Sequence, residues 1–441
     1  MSRDEIRGLP GFRDFFPEDF ALRAHILDAW RRVAARYGFT EYDGPPLEPL
    51  ELYTRKSGGE IVAQLYEFSD KGGRQVALRP EMTPTFARMI AARAAGLPKP
   101  IRWFSIPQLY RYERPQRGRL REHFQLNMDI VGETDPLADA EIIAAAIDAL
   151  RELGLREEHI VARISDRRLI SAILDANGLT PDRHPTVFDI LDKADRDDRD
   201  RVRDRLGGAG VDGRARDRIL DLPDAELEAL ASEYGDIEAV TAAAAGLGKV
   251  FRYLEAAGLG GFARFDASLV RGLAYYTGTV FEIWQRSGEL RAVCGGGRYD
   301  DLLASLGGVD LPALGFGMGD VVLGELLAEL GLAPSLEQAV DDYVVCVSDD
   351  EREVALAVAH RLRSEGRRVL YDLRLRGVSR QFKTANQLGA SRAIIVGPEE
   401  VERGEVIARV LATGEEGVLP LSELVGGSGT RRRWGRKDGS A

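Results

Sequence analysis

Two strand-like runs, Ile101–Glu113 and Glu122–Val131, flank the eight residues Arg114-Pro-Gln-Arg-Gly-Arg-Leu-Arg121. That arrangement predicts a long antiparallel hairpin and commits this part of the chain to sheet. With a side-chain period of two, Gln125, Asn127 and Asp129 share one face of the second strand. Arg111 and Glu113 share a face of the first, and the connection carries arginines at 114, 117, 119 and 121. One arginine over a row of polar and acidic groups is poorly explained as core or as a solvated face. It suits a zwitterion held beside a polyphosphate, with the loop above touching another anion.

Two further segments carry polar groups of the same kind. Leu269–Glu282 brings Arg271, Tyr275 and Tyr276 beside a glycine turn just before an alternating, strand-like run, and Cys294-Gly-Gly-Gly-Arg-Tyr-Asp300 follows. The arginine can neutralise a carboxylate or phosphate, the tyrosines offer hydroxyls, and glycines at 295–297 let backbone approach a ligand. By themselves these residues equally suit a strand, a hairpin turn and an arginine in a surface ion pair. In Leu78-Arg-Pro-Glu-Met-Thr83 a strand ends at Pro80 and presents Glu81 and Thr83 at its tip. Taken alone, that segment reads better as an edge-strand proline with a surface glutamate.

The 441 residues suffice for two or three domains, and 44% hydrophobic with 30% charged residues is an ordinary globular composition. There is no apolar run long enough for a membrane span and no signal-peptide core near Met1, and the two cysteines are too few for a disulfide framework. The five histidines lack metal-ligand spacing. These features lead to the expectation of a reducing cytoplasm and of no metal held by protein side chains. A net charge of −11 argues against indiscriminate nucleic-acid binding, while leaving room for a folded RNA on a local basic patch. Asp192–Arg205 holds six acids and six bases among fourteen residues, which reads as a solvated helix laced with ion pairs.

Asp19–Tyr37 reads as a helix with Leu22, Ile26, Trp30, Val33 and Tyr37 on one stripe. Leu137–Leu153 is an alanine-rich helix, and Asp166 caps another that ends at Gly178. From about 167 to 260 the pattern is helical and charged, as in an insertion; strands resume near Ala263, and Leu311–Gly319 enters a helix from Asp320 to Leu330. Beyond a linker at 331–341, strands at Tyr343–Val347, Val369–Leu373 and Ala393–Val396 alternate with helices, predicting a small α/β domain with a largely parallel sheet over 342–425. Residues 426–441 form a glycine hinge and a basic tail, either a solubilising extension or a weak RNA contact.

Together these segments resemble the histidyl-tRNA synthetase family of class II aminoacyl-tRNA synthetases, across nearly all of residues 5–425. Arg7–Asp14 resembles the family's N-terminal signature, and Pro45 falls where class II motif 1 has its proline. Tyr110–Glu113 with Arg114-Pro-Gln116 resembles motif 2, and Leu269–Glu282 and Gly296–Asp300 match two segments peculiar to the histidine enzyme. Residues 343–425 resemble the anticodon-binding domain shared by the His, Pro, Thr and Gly enzymes. The resemblance implies an α+β catalytic domain over 1–330, an antiparallel sheet flanked by helices with a helical insertion, followed by the α/β anticodon-binding domain. It implies a homodimer, with no membrane partner.

The implied reaction joins L-histidine to ATP as histidyl-adenylate, with Mg²⁺ on the triphosphate, and transfers the histidyl group to histidine tRNA. Arg111 and Arg271 would flank the α-phosphate, with Glu113 and Arg119 also at ATP. Glu81, Thr83 and Gln125 match positions that bind the ammonium, and Asp129 and Tyr276, with Tyr275 beside them, those at the imidazole. Arg114, Gln116 and Arg117 match positions near the tRNA acceptor end.

Three positions depart from the common pattern. Val322 stands where motif 3 usually has an arginine, although a branch including organelle-type synthetases reads similarly through Gly315-Phe-Gly-Met-Gly-Asp320. Asp129 replaces a glutamate and Ala274 an aspartate. Two other kinds of protein share the framework. One is a histidine-binding regulatory subunit of ATP phosphoribosyltransferase, which usually lacks the anticodon domain and degrades the histidine-specific segment; this chain keeps both. The other is an RNA-sensing domain of certain kinases, for which no kinase signature is present.

Overall fold

A computed structural model describes residues 7–54, 62–192, 198–270, 275–288, 290–334 and 340–425. Arg271, Ala274, residues 335–339 of the linker and the basic tail therefore lie outside the described residues. The chain divides into two compact units, 1–334 and 335–441. No helix among the described residues is long and apolar enough to cross a membrane.

In the first unit the strands are β1 (Thr40–Glu41), β2 (Leu47–Pro49), β3 (Tyr66–Ser69), β4 (Gln75–Leu78), β5 (Ile101–Ser105) and β6 (Gln108–Tyr110). They continue with β7 (Glu122–Val131), β8 (Ile160–Asp166), β9 (Ala263–Phe265), β10 (Thr279–Gln285), β11 (Cys294–Arg298) and β12 (Ala313–Gly319). The main sheet runs β1-β5-β7-β12-β11-β10-β8-β9, with β6 also on β7. All its pairs are antiparallel except β1–β5 and β8–β9 at the two edges. The expected hairpin forms, but its first arm breaks into β5 and β6 around Ile106 and Pro107. Pro107 has no N–H to give, and its carbonyl accepts from Gln125 N at 3.1 Å. Arg111 and Glu113 thus lie just past a strand end. A smaller sheet, β2-β4-β3, stands apart.

The pleat sorts the main sheet into two faces. Leu126, Met128 and Ile130 of β7 point to one side with Leu314, Phe316 and Met318 of β12 and Phe281 and Ile283 of β10. Helices Pro17–Arg36 and Pro136–Arg151 cover that side through residues such as Ile26, Trp30, Val33, Ile143 and Ile147. Side chains like Ile26 and Val33, each 1% exposed or less, stabilise by about 1.5–3 kcal/mol apiece. Pro17 opens the first helix, where a missing N–H costs nothing, and Glu18 and Asp19 complement its dipole. Asp166 caps helix Arg167–Ala176 by accepting from Arg168 N at 2.8 Å. Helices from 167 to 256 pack onto the same core, which continues through Leu169, Ile173, Val240 and Leu247.

The opposite face is only partly covered. Helix Thr83–Arg93 and helix Leu302–Gly307 close one end of it, packing Phe86, Ile90 and Leu303 against Ile101, Val131, Val280 and Ala313. The rest stays open. At its rim Arg13 pairs with Glu122 at 2.6 Å and Asp320 at 3.0 Å, and Asp320 accepts from Phe124 N at 2.9 Å. The N-terminal segment is thereby tied to the start of β7 and to helix Asp320–Glu329.

In the second unit β13 (Asp342–Cys346), β14 (Val369–Tyr371), β15 (Arg392–Val396), β16 (Glu405–Val410) and β17 (Glu416–Pro420) lie in the order β14-β13-β15-β16-β17. The first three are parallel, as expected. The last two are antiparallel, so the sheet is mixed rather than largely parallel. Gln381 of helix Val378–Gln387 hydrogen-bonds both Cys346 N and Cys346 O, locking helix to strand.

Candidate functional site

The open face of the main sheet has a floor whose two central strands present glycines. Register places Glu282, Gly295, Gly317 and Asn127 in one row across β10, β11, β12 and β7, and Val280, Gly297, Gly315 and Asp129 in the next. A Cβ on Gly315 would lie 2.1 Å from Asp129 Oδ1, and one on Gly317 2.8 Å from Gln125 Nε2. A Cβ on Gly297 would lie 2.9 Å from the Tyr276 ring. These glycines let Gln125, Asp129 and Tyr276 lie down on the sheet. Gly296 is different: it faces the core, where a Cβ would meet Phe316 and Phe281 within 2.8 Å. Of the three consecutive glycines, the middle one serves packing.

Asp129, Tyr275, Tyr276 and Tyr299 form one cluster. The Tyr299 hydroxyl donates to Asp129 Oδ1, and Tyr275 lies 4.8 Å from Tyr276 and 5.9 Å from Tyr299 between ring centres. Burial pushes the Asp129 carboxyl up to about 7, against the hydrogen bond from Tyr299. Next to Tyr299, Arg298 turns the other way. It is buried against Asp139 at 2.7 Å and donates to Glu133 O at 2.8 Å, so this arginine anchors the sheet to helix Pro136–Arg151.

About 14 Å from Asp129 along β7, at 3.4 Å per residue, Gln125 borders a cavity of 370 Å³. Its wall includes Arg111, Glu113, Arg119 and His123 from the hairpin and Gly295, Gly317 and Gly319 from the floor. Arg111 Nε donates to Pro80 O at 2.9 Å, which fixes the guanidinium and links it to the segment holding Glu81 and Thr83. Glu81 is buried, and Thr83 starts helix Thr83–Arg93. Burial, then the charges of Arg111 and Arg13, push His123 down to about 3, so its ring is neutral.

The loop arginines mostly have protein partners. Arg119 pairs with Glu113 at 2.9 Å, and Arg121 donates to Glu113 O and packs on the Tyr112 ring. Arg117 reaches helix Asp320–Glu329, pairing with Glu325 at 3.3 Å and with Glu329, while Glu325 also accepts from Gly118 N at 3.0 Å. Gln116 closes a turn with Arg119 through 2.9 and 3.0 Å backbone bonds, and Arg114 is exposed. Arg114, Gln116 and Arg117 do not line the cavity, unlike Arg111, Glu113, Arg119 and Gln125. No group of three His, Cys, Asp or Glu side chains among the described residues could hold a metal ion.

Sequence reasoning passed over His123 and Arg291, both in the cavity wall, and gave Tyr299 no role. Tyr299 stands within Cys294–Asp300, but its partner is 170 residues away.

The histidyl-tRNA synthetase family matches residues 11–320, and an anticodon-binding domain family matches residues 342–427. A histidine–tRNA ligase of Opitutus terrae is 45% identical over 95% of this chain and 97% of that protein. A chloroplastic/mitochondrial histidine–tRNA ligase of Arabidopsis thaliana is 40% identical over 94% of this chain and 85% of that one. Among solved structures, a histidyl-tRNA synthetase from a Nostoc species superposes with TM-score 0.82 over 96% of this chain and 98% of that chain, at 23% identity. An ATP phosphoribosyltransferase regulatory subunit/histidyl-tRNA synthetase from Bacillus halodurans gives 0.74 at 25% identity, over 88% of this chain and 97% of that one. With the family matched over most of its first unit and a relative this similar along nearly its whole length, the chain belongs to the histidyl-tRNA synthetase family.

Proposed function

We propose that this chain is a histidine–tRNA ligase, activating L-histidine with ATP and esterifying it to histidine tRNA. One observation carries the reading at the level of the site. A cavity lined by Arg111 opens beside the Asp129–Tyr299–Tyr276 cluster on the same glycine floor. That neighbourhood supports an amino-acid subsite next to a nucleotide subsite.

In the first step a carboxylate oxygen of histidine forms a bond to the α-phosphorus, and the bond from that phosphorus to pyrophosphate breaks. Two anions must approach, so fixed positive charge at phosphorus lowers the barrier. Arg111, oriented by Pro80 O, serves the α-phosphate, and the family resemblance assigns Arg271 to the same phosphate. Glu113 and Arg119 adjoin the nucleotide, and Mg²⁺ arrives with the triphosphate as part of the substrate. No protein nucleophile is needed, since the substrate carboxylate attacks. Glu81, Thr83 and Gln125 take the ammonium, while Asp129, Tyr275 and Tyr276 surround the imidazole. Buried polar groups of this kind reject apolar isosteres, which would leave them unpaired.

In the second step a ribose hydroxyl of histidine tRNA attacks the adenylate carbonyl and AMP leaves. Arg114, Gln116 and Arg117 are assigned to the acceptor end, and the second unit to the anticodon. A homodimer in the cytoplasm completes the reading, with Pro45 at the subunit contact.

Histidine-dependent ATP–pyrophosphate exchange tests the first step. Exchange by the wild type, lost in folded Arg111→Ala and in folded Arg271→Ala, supports it; normal exchange in either variant overturns the assigned mechanism. One observation favours a second reading, a regulatory histidine-binding subunit: apolar Val322 lines the cavity where the family's motif 3 commonly supplies an arginine. A folded wild type that binds histidine but shows no exchange would favour that reading.

A further inference from the structure

The far end of the cavity, beyond Gln125, lacks a cation from the helix that forms its wall. The first turn of helix Asp320–Glu329 presents Val321 and Val322 there, and the Val322 methyl lies 3.2 Å from where a Gly118 Cβ would be. Arg111, whose Nε donates to Pro80 O, lines the same cavity. On the ligase reading Arg111 serves the α-phosphate, so terminal phosphates reaching this helix turn meet no cation from it.

Arg291 approaches that same spot from the connection between β10 and β11. It lines the cavity, and its Cδ lies 4.0 Å from the Gly118 Cβ position that Val322 also borders. Two residues further along, Val293 is buried and its N donates to Ile283 O at 2.8 Å, which roots the connection in the sheet. Gly118 itself, at φ +72°, is clamped by Glu325. The absence of a side chain there leaves room for both neighbours.

We propose that Arg291 is a nucleotide-binding residue, its guanidinium holding the terminal phosphates of ATP at the end of the cavity where Val322 contributes no charge. A guanidinium offers only donors, in a fork that matches phosphate oxygens, so phosphate is the ligand chemistry it fits best. The proposal rests on the ligase reading for its substrate, and its test separates the two.

The test measures ATP–pyrophosphate exchange and, by calorimetry, binding of ATP and adenosine to the full chain. Arg291→Ala is expected to raise the KM for ATP about tenfold to a hundredfold, which is about 1.4–2.8 kcal/mol. The KM for histidine and the affinity for adenosine should stay within about threefold, and Arg291→Lys should recover part of the loss. Adding Val322→Arg to Arg291→Ala should restore ATP affinity by returning charge from the helix side. The proposal is overturned by an unchanged KM for ATP, by equal losses for adenosine and ATP, or by parallel rises in both KM values with a lower Tm. Should Arg291→Ala fail to fold, Arg291→Gln must give the same split between ATP and adenosine. A wild type without exchange would sink the ligase reading, while the calorimetric comparison of ATP with adenosine would still decide the role of Arg291.

Discussion

Tyr299 and Asp129, 170 residues apart in the chain, meet over the glycine floor, where the tyrosine hydroxyl donates to the carboxylate. Register makes the meeting possible: Asp129 faces Gly315, Gly315 faces Gly297, and neither glycine has a side chain to separate them. Removing the donor leaves a buried carboxylate short of a partner, at about 1–3 kcal/mol. Tyr299→Phe is therefore expected to raise the KM for histidine about tenfold while leaving the KM for ATP unchanged. Exchange kinetics check this, and equal changes in both would contradict the separation of the two subsites.

The same pair sets a pH dependence. The Asp129 carboxyl is raised to about 7 by burial, whereas in the unfolded chain it titrates near 3.9. Between those values the folded state binds more protons than the unfolded one. Stability contributed by this group is thus present below about pH 4 and declines as pH rises to about 7. Asp129→Asn does not titrate, so its Tm relative to wild type should be more favourable at pH 8 than at pH 5. Calorimetric scans at the two pH values check it; a constant difference would mean that Asp129 is not buried as described.

Gly317 distinguishes folding from binding. An added methyl there would press on the far end of Gln125, which can move, and would stand up into the cavity. Gly317→Ala should therefore fold with a Tm close to wild type and lose exchange activity by tenfold or more. A large drop in Tm with unchanged KM values in the folded fraction would assign Gly317 to packing alone.

Arg117 has a partner that competes with its assigned contact to tRNA. Half-exposed pairs such as Arg117 with Glu325 and Glu329 contribute about 0–1 kcal/mol, so neither Arg117→Ala nor Glu325→Gln should change Tm much. If Arg117 acts by touching tRNA, Arg117→Ala should weaken charging several-fold and Glu325→Gln should not. Equal effects of the two on exchange and charging would make Arg117 a clamp on the loop.

Much of this architecture was readable from residue patterns, and what was not has physical causes. Alternation in Glu122–Val131 and the Asp166 cap are local signals, and both elements form where expected. β16 and β17 are short runs, Glu405–Val410 and Glu416–Pro420, whose alternation is weak, and β17, at the edge of the sheet, has one side unpaired. The partners of the loop arginines were hidden by distance, since Arg117 and Glu325 are 208 residues apart. Gly296 looked equivalent to its neighbours until the pleat turned it to the core. Arg291 had no local signal beyond standing three residues before the glycine strand, and only the fold carries it to Gly118.

The most direct measurement is charging of histidine tRNA by the full chain with labelled histidine, ATP and Mg²⁺. Histidyl-tRNA is expected to form only with ATP present, and folded Arg111→Ala is expected to form none. A folded wild type that binds histidine, yet neither exchanges pyrophosphate nor charges the tRNA, would contradict the ligase reading.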